Sequence, residues 1–226
     1  MKFTIENGTD GACMTLYDRS ALPEDYDVAQ EDQGAQDILE LHEEGKCAVV
    51  RTDGDGAHWL HLYVNEPVQN LIKEYIHEHI KMEKLLIPSG ILYYTGCEYI
   101  SNKETELSKK NKHMIATLEI PSGEYKANIY FIQYPDDYIK SYVHKLISTK
   151  SRRILLLHKL LGYISIIGVF TAFIVATPYG ITGVITSFVP LIFWFAMFWT
   201  PQYVKADNES DEILSQLPKI VAELNG

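Results

Sequence analysis

Between Lys159 and Lys205 the chain runs for 45 residues, Leu160 to Val204, without one Asp, Glu, Lys or Arg. A helix needs about 20 apolar residues to cross the roughly 30 Å hydrocarbon layer of a bilayer, so this run suffices for two crossings. At its middle, ATPYGITG places Pro178 and Gly180 as helix breakers. The expectation is a two-helix transmembrane hairpin within 160–204, its first span near 156–176 and its second near 180–200. Only helices or closed barrels satisfy their backbone groups in lipid, and a segment this short makes no barrel. A hairpin buried in a larger protein is the alternative, but the chain has little other mass to cover it.

The flanks give the expected orientation. Lys145, Lys150, Arg152, Arg153 and Lys159 crowd the approach, Lys205 follows, and the connecting turn is uncharged. By the positive-inside rule both termini are cytoplasmic, at the inner (plasma) membrane. Lys150, Arg152, Arg153, Lys159 and Lys205, with the aromatic residues Trp194, Trp199 and Tyr203, are the expected contacts with membrane lipids at the interface. Gly168, Ala172 and Ala176, and Gly183 with Ser187, recur every four residues, as small residues do where helices approach closely. They pack the hairpin on itself or form a face for a homodimer. No ionisable residue lies within the spans, which argues against a transporter.

Charge divides the remainder unevenly. Met1 to Ile100 carries 19 acidic and 7 basic residues, whereas Ser101 to Lys159 carries 6 acidic and 11 basic. So acidic a domain repels phosphate backbones, and nucleic acid is not an expected partner. Cys13, Cys47 and Cys97 are distant, odd in number and without CxxC spacing, so neither a disulfide framework nor a zinc site is signalled and reduced thiols are expected. The opening MKFTIENGTDG has no apolar run, so no secretory leader is expected.

Seven segments read as strands: 2–5, 12–17, 47–52, 58–64, 90–96, 114–120 and 124–133. Asp53-Gly54-Asp55-Gly56 and Pro121-Ser122-Gly123 supply turn chemistry between pairs of them, which suggests antiparallel hairpins. Helices are expected near 35–44, 67–85 and 135–148; in the second, Val68, Leu71, Ile72, Tyr75, Ile76, Ile80 and Met82 give mostly helical spacing. The fold class is α+β: a strand-rich antiparallel domain over 1–148, a basic juxtamembrane connector at 149–159, the transmembrane hairpin at 160–204 and a polar tail at 205–226 interrupted by Pro218.

IPSGILYYTGCEYI at 87–100, IPSGEYKANIYFI at 120–132 and TDGACMTLYD at 9–18 resemble small β-rich bacterial domains of unassigned function, some of them encoded near secretion-system and toxin–immunity genes. The resemblance implies a binding role and no catalytic residue.

The residues themselves point the same way. His58 and His61, with His77 and His79 near Glu78, suggest a metal site, but strand geometry turns the first pair to opposite faces and helical geometry separates the second. The DGDG run lacks the twelve-residue calcium pattern, and no GxSxG, P-loop, GxGxxG or kinase signature occurs. No catalytic, cofactor-binding or metal-binding residue is therefore assigned. From Pro23 to Glu44 there are nine acidic residues and no Lys or Arg. This run reads either as a solvated face or as a docking surface for a basic protein, with Glu24, Asp25, Asp27, Glu31 and Asp32 as candidate contacts. The expected function is a membrane-anchored, non-enzymatic binding protein, most concretely an immunity-type protein that neutralises a toxin. The alternative is a membrane regulator or assembly scaffold that binds a membrane protein partner through its hairpin.

Overall fold

The computed structural model describes residues 1–30, 34–69 and 71–226, and the side chains of these except 30, 34, 35, 169, 171–188 and 190. The chain divides into two units, Met1–Tyr134 with Leu217–Gly226, and Pro135–Gln216.

The first unit is α+β and strand-rich. Alternating or β-branched segments form β1 (Lys2–Thr9), β2 (Cys13–Tyr17), β3 (Cys47–Arg51), β4 (Gly56–Val64), β5 (Ile76–Ile87), β6 (Ile91–Gly96), β7 (Ile115–Glu119), β8 (Gly123–Ile132) and β9 (Ile220–Asn225). Two sheets result, one ordered β1-β4-β9-β8-β5 and the other β3-β2-β6-β7. The DGDG and PSG turns do not close hairpins. β3 and β4, and likewise β7 and β8, belong to different sheets, so each turn carries the chain across the sandwich. Turn chemistry specifies a reversal, whereas the sheet a strand joins depends on which faces it can bury.

Leu60, Leu62 and Val64 of β4 meet Leu16 of β2, Val50 of β3 and Leu92 of β6 in the core between the sheets. Each of these side chains is almost fully buried, which contributes about 1.5–3 kcal/mol apiece against exposure. A second cluster covers the outside of the four-stranded sheet. There Ile38 and Leu41 of α1 (Gly34–Glu43), with Leu22 and Tyr26, lie on Tyr17 and Cys47. Val68, Leu71 and Tyr75 cover part of the outer face of the other sheet.

The expected helix at 67–85 is instead a loop, a 3-10 turn at Lys73–Tyr75 and β5. From Ile76 to Met82 side chains alternate between sheltered and exposed, a period of two. The apparent helical spacing came from adding Val68, Leu71, Ile72 and Tyr75, which precede β5, to that strand. The expected tail is also structured: Pro201–Leu214 is helix α5, and β9 lies parallel to β4 on one side and antiparallel to β8 on the other.

The second unit holds α3 (Asp136–Leu146), α4 (Thr149–Phe198) and α5, following the short α2 (Glu106–Lys110) of the first unit. The expected two-pass transmembrane hairpin is corrected here. Residues Thr149–Phe198 form a single helical element, and among the described residues no helix is long and apolar enough to cross a membrane. The inner-membrane, multi-pass localisation rested on that hairpin and is corrected with it. Within α4, the rings of His158 and Trp194 stack with centroids 5.5 Å apart. A straight helix would separate them by about 54 Å, so the residues around His158 lie beside those around Trp194.

Candidate functional site

The acidic run from Pro23 to Glu44 gains its position from the side chains that alternate with its carboxylates. Leu22, Tyr26, Ile38 and Leu41 are buried in one cluster against the four-stranded sheet. Their burial leaves Glu24, Asp25, Glu40, Glu43 and Glu44 exposed. Backbone bonds fasten the segment to the chain that follows β6. The Val28 amide donates to Ile100 O at 3.1 Å and the Asn102 amide to Tyr26 O at 2.9 Å, with Asp27 bridged to Ser101.

Asp27 is buried, and its Oδ1 accepts from the Ala29 amide at 3.2 Å, so it acts as a local cap. Asp25 is bound by Lys103 Nζ at 2.5 Å. That hydrogen bond, followed by the ammonium charge, holds the Asp25 carboxyl below the usual carboxylate range. Glu44 pairs with Lys46 at 2.6 Å. Glu31 and Asp32 lie outside the described residues. Of the five expected contacts, then, Glu24 stands exposed, Asp25 is ion-paired and Asp27 is internal. Glu40 and Glu43 of α1 extend the exposed acidic surface.

α1 is held from beneath. His42 Nδ1 accepts the Val49 amide at 3.2 Å, which requires an unprotonated nitrogen there. Burial pushes the His42 pKa down in the same sense. Behind the layer, Cys13 and Cys97 form a disulfide with Cα atoms 5.5 Å apart, correcting the expectation of three reduced thiols. Spacing in sequence could not reveal this, because an antiparallel register brings together residues 84 apart. Next to it, the Glu98 carboxylate accepts from Thr9 Oγ1 at 3.0 Å and the Asp10 amide at 2.8 Å. Thr9 and Asp10 line a cleft of about 340 Å³ together with Glu6 and His113.

The histidine candidates do not converge. His58 is buried on the core side of β4 and His61 neighbours the opposite face, while His79 stacks on Tyr130 and His77 meets the edge of Phe131. Among the described residues no group of three or more His, Cys, Asp or Glu is placed to hold a metal ion.

The second unit places the remaining candidates. Glu209 of α5 accepts from the Ser148 amide at 2.6 Å, Ser148 Oγ at 3.0 Å and Ser151 Oγ at 2.5 Å, so a carboxylate caps the start of α4. The Ser151 hydroxyl and Ser148 amide hold the Glu209 pKa down. Lys150 and Lys205 border the adjoining cavity of about 420 Å³. Arg152 donates to His144 O, Arg153 is exposed, and Lys159 lies over the Tyr163 ring at 6.0 Å. Trp194 and Tyr203 pack on His158. Gly162 lies so close to Trp194 that a Cβ there would stand 3.1 Å from its indole nitrogen. Ala172, Ala176, Gly183 and Ser187 lie outside the described side chains, and Gly168 is half-buried.

No family model matches the chain, and no curated protein matches it. Two solved structures are similar in part. One is described as crocagin biosynthetic gene J, with 12% identity over 62% of this chain and 80% of that one and a TM-score of 0.43. The other is ComJ from Bacillus subtilis, an inhibitor of the DNA-degrading activity of NucA, with 9% identity over 58% of this chain and 84% of that one and a TM-score of 0.36. Likeness at this level assigns neither a fold nor a role.

Proposed function

We propose that this chain is a non-catalytic binding protein that captures a basic partner protein through its acidic layer, most concretely as an immunity-type or inhibitor protein. The observation that carries this reading is the burial of Tyr26, Ile38 and Leu41 in a shared cluster, which leaves Glu24, Glu40 and Glu43 exposed. Acidic surfaces of this kind steer cationic partners and speed their encounter. The test is crosslinked affinity purification with the intact chain and with a Glu24→Lys, Glu40→Lys, Glu43→Lys variant. The expected result is a basic protein whose capture weakens as salt rises and is lost in the variant. Capture that ignores the reversed charges overturns the reading.

A second reading, an assembly scaffold, is favoured by one observation. Phe170, Ile192, Phe193 and Trp199 of the α4 region are 69, 66, 64 and 77% exposed. Large exposed apolar side chains such as the adjacent Ile192 and Phe193 offer apolar contact area to a partner. For a scaffold, Ile192→Asp with Phe193→Asp abolishes capture and the charge reversal does not.

A further inference from the structure

We infer that the Cys13–Cys97 pair is a redox-operated latch that sets the order of the acidic layer, and hence of the binding surface proposed above, on which its functional meaning rests. β2 and β6 pair through Met14 opposite Gly96. Cys13 and Cys97 stand one position past that last pair: Cys13 begins β2 and still pairs with Arg51 of β3, whereas Cys97 follows Gly96, where the chain leaves β6. The bond therefore fastens the departing segment, and the ladder from Met14 to Tyr17 holds the sheet without it.

That segment carries the layer. The 3-10 turn Cys97–Tyr99 leads into Ile100, Asn102 and Lys103, and these three provide the contacts to Val28, Tyr26 and Asp25. Cys97 and Ile100 are also buried in the cluster with Tyr17, and side-chain bonds add to the hold on the turn: Tyr17 Oη donates to Tyr99 O at 3.3 Å, and Glu98 binds Thr9 and Asp10. A crosslink restricts the conformations open to the segment it ties, so its loss lets the segment open locally.

Cys13 is half-buried and Cys97 is buried, so a dithiol reductant attacks Cys13 Sγ. Cys97 leaves as a thiolate and takes a proton, and a mixed disulfide forms on Cys13. The second thiolate of the reductant then displaces Cys13, which is also protonated, and the reductant departs as its own disulfide. Two electrons have passed to the pair. Cys47 takes no part: its thiol is buried, donates to Ile38 O and is pushed up to about 12 by burial, leaving almost no thiolate for exchange.

The test uses the full chain equilibrated with oxidised glutathione or with dithiothreitol. Alkylation under denaturing conditions should modify one cysteine in the first state and three in the second; three in both overturns the latch. Amide hydrogen exchange should then be about tenfold faster at Val28 and Asn102 after reduction, with Ala222 of β9 unchanged. Equal rates at Val28 and Asn102, or protection lost at Ala222 as well, also overturn it. Partner capture separates the two ideas. Exchange that switches while capture ignores the acidic charges supports the latch and removes the binding reading. Capture that needs those charges but ignores the redox state supports the binding reading and overturns the latch's control of it.

Discussion

Ser89 donates both its amide and its hydroxyl to Asp18 Oδ2, each at 2.7 Å. The other oxygen of the same buried carboxylate accepts from the Ser20 amide and hydroxyl, so one side chain caps the 3-10 turn Arg19–Ala21 and fixes the turn between β5 and β6. Removing it leaves four donors unpaired. Asp18→Ala should destabilise the chain by about 3 kcal/mol and Ser89→Ala by about 1–2 kcal/mol, read from urea unfolding. Equal, small effects would assign Asp18 no such role.

Gly90 completes that turn with φ at +77°, and a Cβ there would stand 2.8 Å from Ile120 O. Gly90→Ala therefore meets both an unfavourable backbone conformation and a backbone oxygen. It should cost about 2 kcal/mol or more, whereas alanine at Gly54, with open space around it, should cost little. Thermal unfolding of the two variants checks the contrast.

β8 and β9 pair antiparallel, and the Ile132 amide donates to Lys219 O at 2.8 Å. Excising 135–216 and joining Tyr134 to Leu217 through two glycines should leave cooperative unfolding intact, because the shortened loop costs less closure entropy. Deleting 217–226 instead removes a strand bonded to β4 and β8 and should abolish that transition, followed by circular dichroism on heating.

Burial lowers the pKa of His58, with Lys219 acting in the same direction, and burial also lowers that of His42. In the unfolded chain both take a proton near pH 6.5, while the folded state keeps them neutral to a lower pH. The stability they contribute is complete above that value and declines as pH falls below it, until the native pKa values are passed. Urea midpoints measured from pH 7.5 to 5 should fall, and His58→Leu should flatten part of the slope. An unchanged slope in that variant would show that His58 does not contribute.

What the sequence determined by itself was local. Alternation and β-branching placed β1 to β4 and β6 to β8 within a few residues, and α1 and α3 were expected near 35–44 and 135–148, because these signals act over one or two turns of chain. The acidic character of Pro23–Glu44 was equally legible, since charge is read residue by residue. Tertiary pairing decided the rest. It drew Ile76–Ile87 into an edge strand beside β8, set Ile220–Asn225 between β4 and β8, and sent neighbouring strands to opposite sheets. It also buried Asp27, matched Asp25 to Lys103 and brought Cys13 opposite Cys97. Each of these depends on residues about 36 to 160 positions apart in the chain, and such contacts follow from which faces can be buried together and in which register, quantities that no local window of sequence contains.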